Sequence, residues 1–124
     1  MAGENVIRLD FTSPILPSGS AITRYVDKED GAEYIYSLFV PSDGSTAFPV
    51  FDQPDLKARF NLTIRTPYEW HSISNSNAPQ RFAMDSGAPI TSVFDETKPI
   101  STYVFAFAAG PFDRVAEQSL PPLV

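Results

Sequence analysis

The chain contains no cysteine and a single histidine, His71, among its 124 residues. Disulfide staples, thiolate metal sites and cysteine nucleophiles are therefore excluded by composition. No apolar run approaches the length of a bilayer span, and the first five residues lack the basic and apolar regions of a secretion signal. We therefore expect a soluble chain with no membrane partner, and the missing signal favours a cytoplasmic location.

Positive charge is also scarce. Nine Lys and Arg residues are scattered along the chain against fifteen Asp and Glu, for a formal net charge of −6. Because phosphate binding needs clustered Lys and Arg, nucleic acid is not an expected partner. The length suits one domain, residues 1–124, and two prolines mark residues 119–124 as a linker-like tail.

Proline and phenylalanine are abundant, with twelve and ten residues, which favours many short strands joined by stiff turns. No segment of ten or more residues keeps helical spacing. The predicted fold is therefore all-β, with antiparallel or mixed sheets in a sandwich or a saddle-like arrangement. Strands are predicted at residues 6–11, 21–26, 33–40, 59–66, 69–74, 81–85, 90–96, 101–109 and 113–118.

Four of these segments support more specific predictions. The strands at 21–26 and 33–40 should form a hairpin around the charged turn at residues 27–31. Segment 33–40 is apolar on both faces for much of its length, which predicts an interior strand or one packed against another module. Segment 101–109 alternates aromatic with small apolar residues, which predicts a central strand. In segment 69–74, Trp70 and Ile73 are the expected anchors.

The most distinctive stretch is FPVFDQPDLKARF at residues 48–60. Asp52 is a good helix N-cap because its carboxylate can accept hydrogen bonds from the amides of a first turn, and Pro54 is tolerated early in a helix. These residues predict one short helical turn near residues 52–58. Apolar and polar residues then alternate from 59 to 65, as in a half-buried strand. On local physics alone, this is a well-capped corner of a β-rich domain.

The string also resembles a known motif. The pattern F-P-x-F-D-(E/Q)-P-x-x-K-A-x-F, preceded by Asp43 and Ser45, is similar to a stretch in the N-terminal β-domain of zinc aminopeptidases of the aminopeptidase N and leukotriene hydrolase family. The motif positions are Phe48, Pro49, Phe51, Asp52, Pro54, Lys57 and Phe60. Residues 99–112 (PISTYVFAFAAGPF) resemble the strand that closes that domain before the catalytic domain begins. The resemblance therefore covers nearly the whole chain.

The catalytic residues of such an enzyme are missing from this sequence. A zinc aminopeptidase needs two histidines one helical turn apart and a downstream glutamate as ligands, with a glutamate as general base. One histidine cannot supply H-E-x-x-H, and neither the G-x-M-E-N motif nor a G-x-S-x-G elbow occurs. We expect no catalytic residue, no metal ligand and no cofactor in this chain, since the resemblance assigns zinc to the parent enzyme.

The resemblance also implies where substrate would lie. In many family members, two polar residues ahead of the motif help to hold the free amino group of the substrate. Those places fall on Leu38 and Val40, and both are apolar here. Either this subgroup recognises the amine differently, or the parent is not an aminopeptidase.

The leading hypothesis is a non-catalytic module of an aminopeptidase N-like metallopeptidase that removes N-terminal amino acids from peptides. It would wall the substrate cleft and support its expected partner, the catalytic domain. The resemblance implies that the chain begins partway through the β-domain. Open strand edges beside segments 33–40 or 101–109 would then favour a homodimer. The alternative is a free-standing β-sandwich binding module without peptidase activity; a reading frame continuing past Val124 into H-E-x-x-H would favour the first hypothesis.

Overall fold

The computed structural model describes residues 3–113 and is all-β, as predicted. Within these residues the strands are β1 (Ile22–Val26), β2 (Glu33–Ser37), β3 (Thr63–Thr66), β4 (His71–Ser74), β5 (Gln80–Phe82), β6 (Ile90–Val93) and β7 (Phe107–Gly110). Two short 3-10 helices span Gly44–Thr46 and Thr102–Val104. Neither of these helices, nor any other helical segment between residues 3 and 113, has the length and hydropathy needed to cross a lipid bilayer.

The strands form two antiparallel sheets. One has four strands in the order β1-β2-β7-β4, and the other has three in the order β3-β6-β5. The predicted hairpin is present: β1 pairs with β2 so that Ile22 lies opposite Ser37 and Val26 lies opposite Glu33. Strands β2 and β7 each have a hydrogen-bonded neighbour on both sides. The interior positions predicted for segments 33–40 and 101–109 are therefore confirmed for the parts that form strands.

The core is a cluster of phenylalanines. Phe39 and Phe105 are 1% and 7% exposed, and three partly buried rings, Phe48, Phe60 and Phe107, pack against them. Phe39 and Phe48 meet edge to face, with ring centroids 5.6 Å apart. Such aromatic pairs contribute about 0.5–1.5 kcal/mol each beyond the area they bury. The cluster joins stretch 48–60 to stretch 99–112, so the two stretches singled out in the sequence meet in the core.

Residues 6–11 do not form the predicted strand. Val6 and Ile7 are 86% and 79% exposed, and the segment makes no backbone hydrogen bond within residues 3–113. A strand with period-two alternation still needs a sheet edge to pair with. The outer edge of β1 is already bonded to Leu16, whose amide and carbonyl both form hydrogen bonds with it.

Other predicted strands exist but are shorter. Strand β2 ends at Ser37 rather than at residue 40, and segment 101–109 opens with a 3-10 helix before β7. Ile73 is 61% exposed and is not the anchor it was predicted to be, because it lies on the face of β4 opposite the buried Ser72. Apart from Asp113, the predicted strand 113–118 and tail 119–124 lie outside the described residues.

Candidate functional site

The corner at residues 52–58 is built around one hydrogen-bonded turn, in which the amide of Leu56 donates to the carbonyl of Gln53 at 3.0 Å. No longer helix follows it, so there is no first helical turn for Asp52 to cap. The predicted N-cap role is therefore wrong. Instead, Asp52 Oδ2 accepts a hydrogen bond from the backbone amide of Ser45 at 3.3 Å. Its carboxylate ties the corner to the short 3-10 helix Gly44–Thr46 that precedes it.

Gly44, the first residue of that 3-10 helix, is buried between the corner and the 3-10 helix Thr102–Val104. A Cβ added at Gly44 would lie 2.6 Å from Thr102 Cγ2 and 3.2 Å from Asp52 Oδ2. Real Cβ atoms do not approach other atoms as closely as the first of these distances, so only glycine fits here without a shift. The sequence pattern drew attention to Asp43 and Ser45 on either side. The pattern does not predict that this position must be glycine, because the residue that crowds Gly44 is Thr102, far along the chain.

The rest of the motif is held from one side by residues 97–101. The amide of Phe60 donates to Thr97 Oγ1 at 2.9 Å, and Ser101 Oγ donates to the carbonyl of Pro54. Ala58 and Ile100 exchange two backbone hydrogen bonds of 3.0 and 2.9 Å. The motif side chains divide accordingly: Phe48 and Phe60 pack into the core and Asp52 is half-buried, whereas Pro49, Phe51, Pro54 and Lys57 are exposed.

Leu38 and Val40 lie on either side of the most buried ring in the protein. Phe39 is 1% exposed, while Leu38 and Val40 are 56% and 51% exposed. Hydrogen bonds fix the backbone here, from the amide of Leu38 to the carbonyl of Ala21 at 2.8 Å and from the amide of Asp43 to the carbonyl of Phe39 at 3.0 Å. The peptide bond after Val40 is cis. The fold thus presents two apolar side chains from a well-anchored segment.

His71 begins strand β4, opposite Gly110 of β7. It borders an open cleft of about 430 Å³ that is also lined by Arg81, Phe94, Phe112 and Asp113. Within residues 3–113, no three His, Asp or Glu side chains come together in a way that suits a metal ion. A protein zinc site needs several such ligands around one point. The residues that the structure describes, 3–113, therefore do not fit the zinc that the resemblance assigns to the parent enzyme.

The all-β fold and the buttressed corner describe a structural module, and comparison with known proteins gives its family. Residues 6–104 match the Peptidase M1 N-terminal domain, and the chain belongs to this family. The resemblance noted in the sequence is confirmed.

Three curated relatives illustrate the match. Aminopeptidase N of Streptomyces lividans is 35% identical over 117 residues, which cover 93% of this chain and 13% of the relative. Glutamyl aminopeptidase of Sus scrofa is 32% identical over 122 residues, covering 95% of this chain and 13% of the relative. Aminopeptidase M1-B of Oryza sativa subsp. japonica is 30% identical over 121 residues, covering 95% of this chain and 14% of the relative. The chain therefore spans only 13–14% of the length of these relatives.

Proposed function

We propose that this chain is a non-catalytic part of the N-terminal β-domain of an M1 aminopeptidase, walling one side of the substrate cleft and supporting a catalytic domain that removes N-terminal amino acids from peptides. The observation that carries the proposal is the family match over residues 6–104, together with relatives named as aminopeptidases. This chain supplies a scaffold rather than reacting groups. Zinc, bound by a catalytic domain, would polarise the scissile carbonyl and activate water.

The scaffold has a specific consequence at Leu38 and Val40. Both side chains are about half exposed on an anchored segment, so a neighbouring domain or a substrate can contact them. Neither carries a hydrogen-bond acceptor, and an ammonium group placed against apolar side chains without acceptors is disfavoured. We infer that these two positions contribute apolar contact instead of holding the amino group, which must then be recognised by residues of the catalytic domain.

The test is a hybrid enzyme in which this chain replaces the matching 117-residue segment of Streptomyces lividans aminopeptidase N. We expect the hybrid to fold, retain zinc and hydrolyse an aminoacyl p-nitroanilide. Its kcat/KM should fall by roughly 10- to 100-fold, because a hydrogen bond to a charged group contributes about 1.5–3 kcal/mol. Leu38→Gln combined with Val40→Glu should recover most of that loss.

A matched control is Val93→Gln, which adds the same polar group on the three-stranded sheet, where Val93 is 38% exposed. It should leave kcat/KM of the hybrid unchanged. If the hybrid folds and holds zinc but its kcat/KM does not change when Leu38 and Val40 are substituted, the cleft-wall role is ruled out. Loss of zinc or of the folded circular dichroism spectrum would instead count against the supporting role.

We also infer that the chain by itself forms a homodimer through an open strand edge. The segments expected beside that edge, 33–40 and 101–109, are paired on both sides as β2 and β7. The edge belongs instead to β4, which has one strand neighbour and carries the exposed Ile73. Pairing with β4 of a second copy would give its outer backbone groups hydrogen-bond partners.

A further inference from the structure

Two rows of side chains cross the outer face of the four-stranded sheet. The register places Tyr25 opposite Tyr34 and, one strand farther on, Gly110 opposite His71. The second row consists of Thr23, Tyr36, Ala108 and Ile73. On the opposite face of the same strands, Ser37, Ser72 and Ala109 are buried. The tyrosines lie on the other face, where Tyr25 and Tyr36 are 52% and 43% exposed, whereas Thr23 at the β1 end of the second row is 6% exposed.

Three aromatic rings on this face form a continuous group. The ring centroids of Tyr25 and Tyr34 are 6.2 Å apart, and those of Tyr34 and Phe112 are 5.1 Å apart, with interplanar angles of 39° and 46°. Tyr34 is fixed in place by β7, since a Cβ added at Gly110 would lie 2.6 Å from Tyr34 Cδ1. The glycine leaves room for the ring against the backbone. The three rings thus form a continuous aromatic surface at one end of the sheet.

Carboxylates border the same rings. Asp27 and Asp30 belong to the β1–β2 turn, where Asp27 Oδ1 accepts from the amide of Glu29 at 2.7 Å and Asp30 Oδ1 accepts from the amide of Ala32 at 2.9 Å. Partial burial and, next, the charges of Asp30, Asp27 and Asp113 raise the pKa of Tyr34. Asp27 lies two residues after Tyr25, Asp30 lies four residues before Tyr34, and Asp113 follows Phe112, so the chain itself places these carboxylates beside the rings. Of the basic residues on this hairpin, Arg24 is paired with Glu33 and Lys28 lies in the turn.

We propose that the tyrosine face, defined by Tyr25, Tyr34, Tyr36 and Phe112, docks a basic peptide segment of a partner protein. An arginine or lysine side chain lies over the aromatic rings with its charge against Asp27, Asp30 and Asp113. Cations bind favourably to the faces of aromatic rings, and nearby carboxylates add direct charge complementarity. The net charge of −6 favours the same class of partner. This proposal stands independently of the peptidase role.

The second row provides a place for an apolar neighbour of the basic residue. A shallow groove of about 240 Å³ is lined by Tyr36, Ala108 and Ile73, among others. Successive rows on one face of a sheet are two residues apart along each strand, roughly 7 Å. A segment in an extended conformation whose basic and apolar residues are two positions apart places both side chains on the same side, about 7 Å from each other, and matches this pattern of charge and groove.

The experiment uses two synthetic hexapeptides, one in which single serines separate arginine from leucine (Arg-Ser-Leu-Ser-Arg-Ser) and the other with glutamate in place of each arginine, titrated against the 124-residue chain by calorimetry and by amide NMR shifts. We expect the arginine peptide to bind, to shift the amides of Tyr25, Tyr34 and Gly110, and to weaken as salt rises from about 50 to about 300 mM. The glutamate peptide should not bind. Equal binding of both peptides would overturn the proposal.

Variants locate the site. Asp27→Asn with Asp30→Asn keeps both turn acceptors but removes two charges, and should weaken binding about fivefold or more. Tyr25→Leu keeps apolar area but removes a ring face, and should also weaken binding of the arginine peptide.

The matched control, Asp85→Asn with Asp95→Asn, makes the same charge change at exposed positions elsewhere. An equal loss in the control would mean unspecific attraction and overturn the proposal. A further result would also overturn the proposal. If the unmodified chain binds neither peptide but self-associates, and Tyr36→Lys abolishes that self-association, then a second copy of the chain occupies the face.

Discussion

Phe60 and Phe105 stack face to face, with ring centroids 4.3 Å apart and ring planes within 9° of parallel. Phe60 ends the motif at residues 48–60, and Phe105 lies in the second family-like stretch, so this stack joins the two most distinctive parts of the sequence. Phe105 also lies within about 6 Å of the rings of Phe39, Phe48 and Phe107, at 6.1, 6.1 and 6.2 Å between centroids. It is the shared member of the aromatic core.

The first prediction follows from that position. Phe105→Ala should lower the free energy of unfolding by about 3–5 kcal/mol, because removing a buried phenylalanine costs both its transfer free energy and a cavity. The control is Phe51→Ala within the motif itself, where the ring is 81% exposed and the expected change is within about 0.5 kcal/mol. Urea denaturation of the two variants measures both values. Similar losses at the two positions would mean that the core lies elsewhere.

Sequence reasoning reached the all-β class and the faces of individual segments, because periodicity is a local property. Residues 60, 62 and 64 are half-buried while 59, 61, 63 and 65 are exposed, as the alternation predicts. The same reasoning was wrong for residues 6–11, where the pattern is equally regular but the segment pairs with no strand of the described chain. Asp52 was misassigned for a similar reason, since its partner, Ser45, is set by the fold and not by residue spacing.

The second prediction concerns Gly44, whose importance only the folded chain reveals. Gly44→Ala should destabilise the protein by about 1–3 kcal/mol, because the new methyl group would overlap the buried, β-branched Thr102. Thr102→Ser removes the methyl group that clashes and keeps the hydroxyl. The double variant should therefore be more stable than Gly44→Ala alone. Thermal unfolding of the unmodified chain, the two single variants and the double variant gives the coupling free energy between Gly44 and Thr102. If the two substitutions change the free energy of unfolding additively, the contact is excluded.

The third prediction concerns the carboxylate of Asp52. Asp52→Ala removes the acceptor for the amide of Ser45 and should cost about 1 kcal/mol, whereas Asp52→Asn retains an oxygen that can accept and should cost less. Amide hydrogen exchange at Ser45 should accelerate in the alanine variant more than in the asparagine variant. Unchanged exchange at Ser45 in both would show that the bond contributes nothing to the loop.

The fourth prediction tests the strand-edge homodimer. Analytical ultracentrifugation at micromolar concentration should show a dimer, and Ile73→Lys on β4 should convert it to monomer because a charged edge residue opposes strand pairing. Tyr36→Lys places the same charge on β2, an interior strand of the same sheet, and should leave the dimer intact. A monomer in the unmodified chain at high concentration would reject the edge dimer.

The last prediction concerns Tyr34 at alkaline pH. Its pKa is raised above the ordinary value of 10.0, through partial burial first and then the carboxylates of Asp30, Asp27 and Asp113. Near and above pH 10, the unfolded chain therefore loses this proton while the folded chain keeps it, so the folded state binds more protons and its stability falls as pH rises. Tyr34→Phe retains the ring over Gly110 and should remove part of that decline, whereas Tyr103→Phe, at a 3-10 helix, tests for a general effect of losing a phenol. The difference in phenolate absorbance between the unmodified chain and Tyr34→Phe gives the titration of this residue directly. Asp27→Asn with Asp30→Asn should move the titration of Tyr34 to lower pH, because two negative charges near the phenol are removed. If the titration does not shift in this double variant, the turn carboxylates do not act on the tyrosine face.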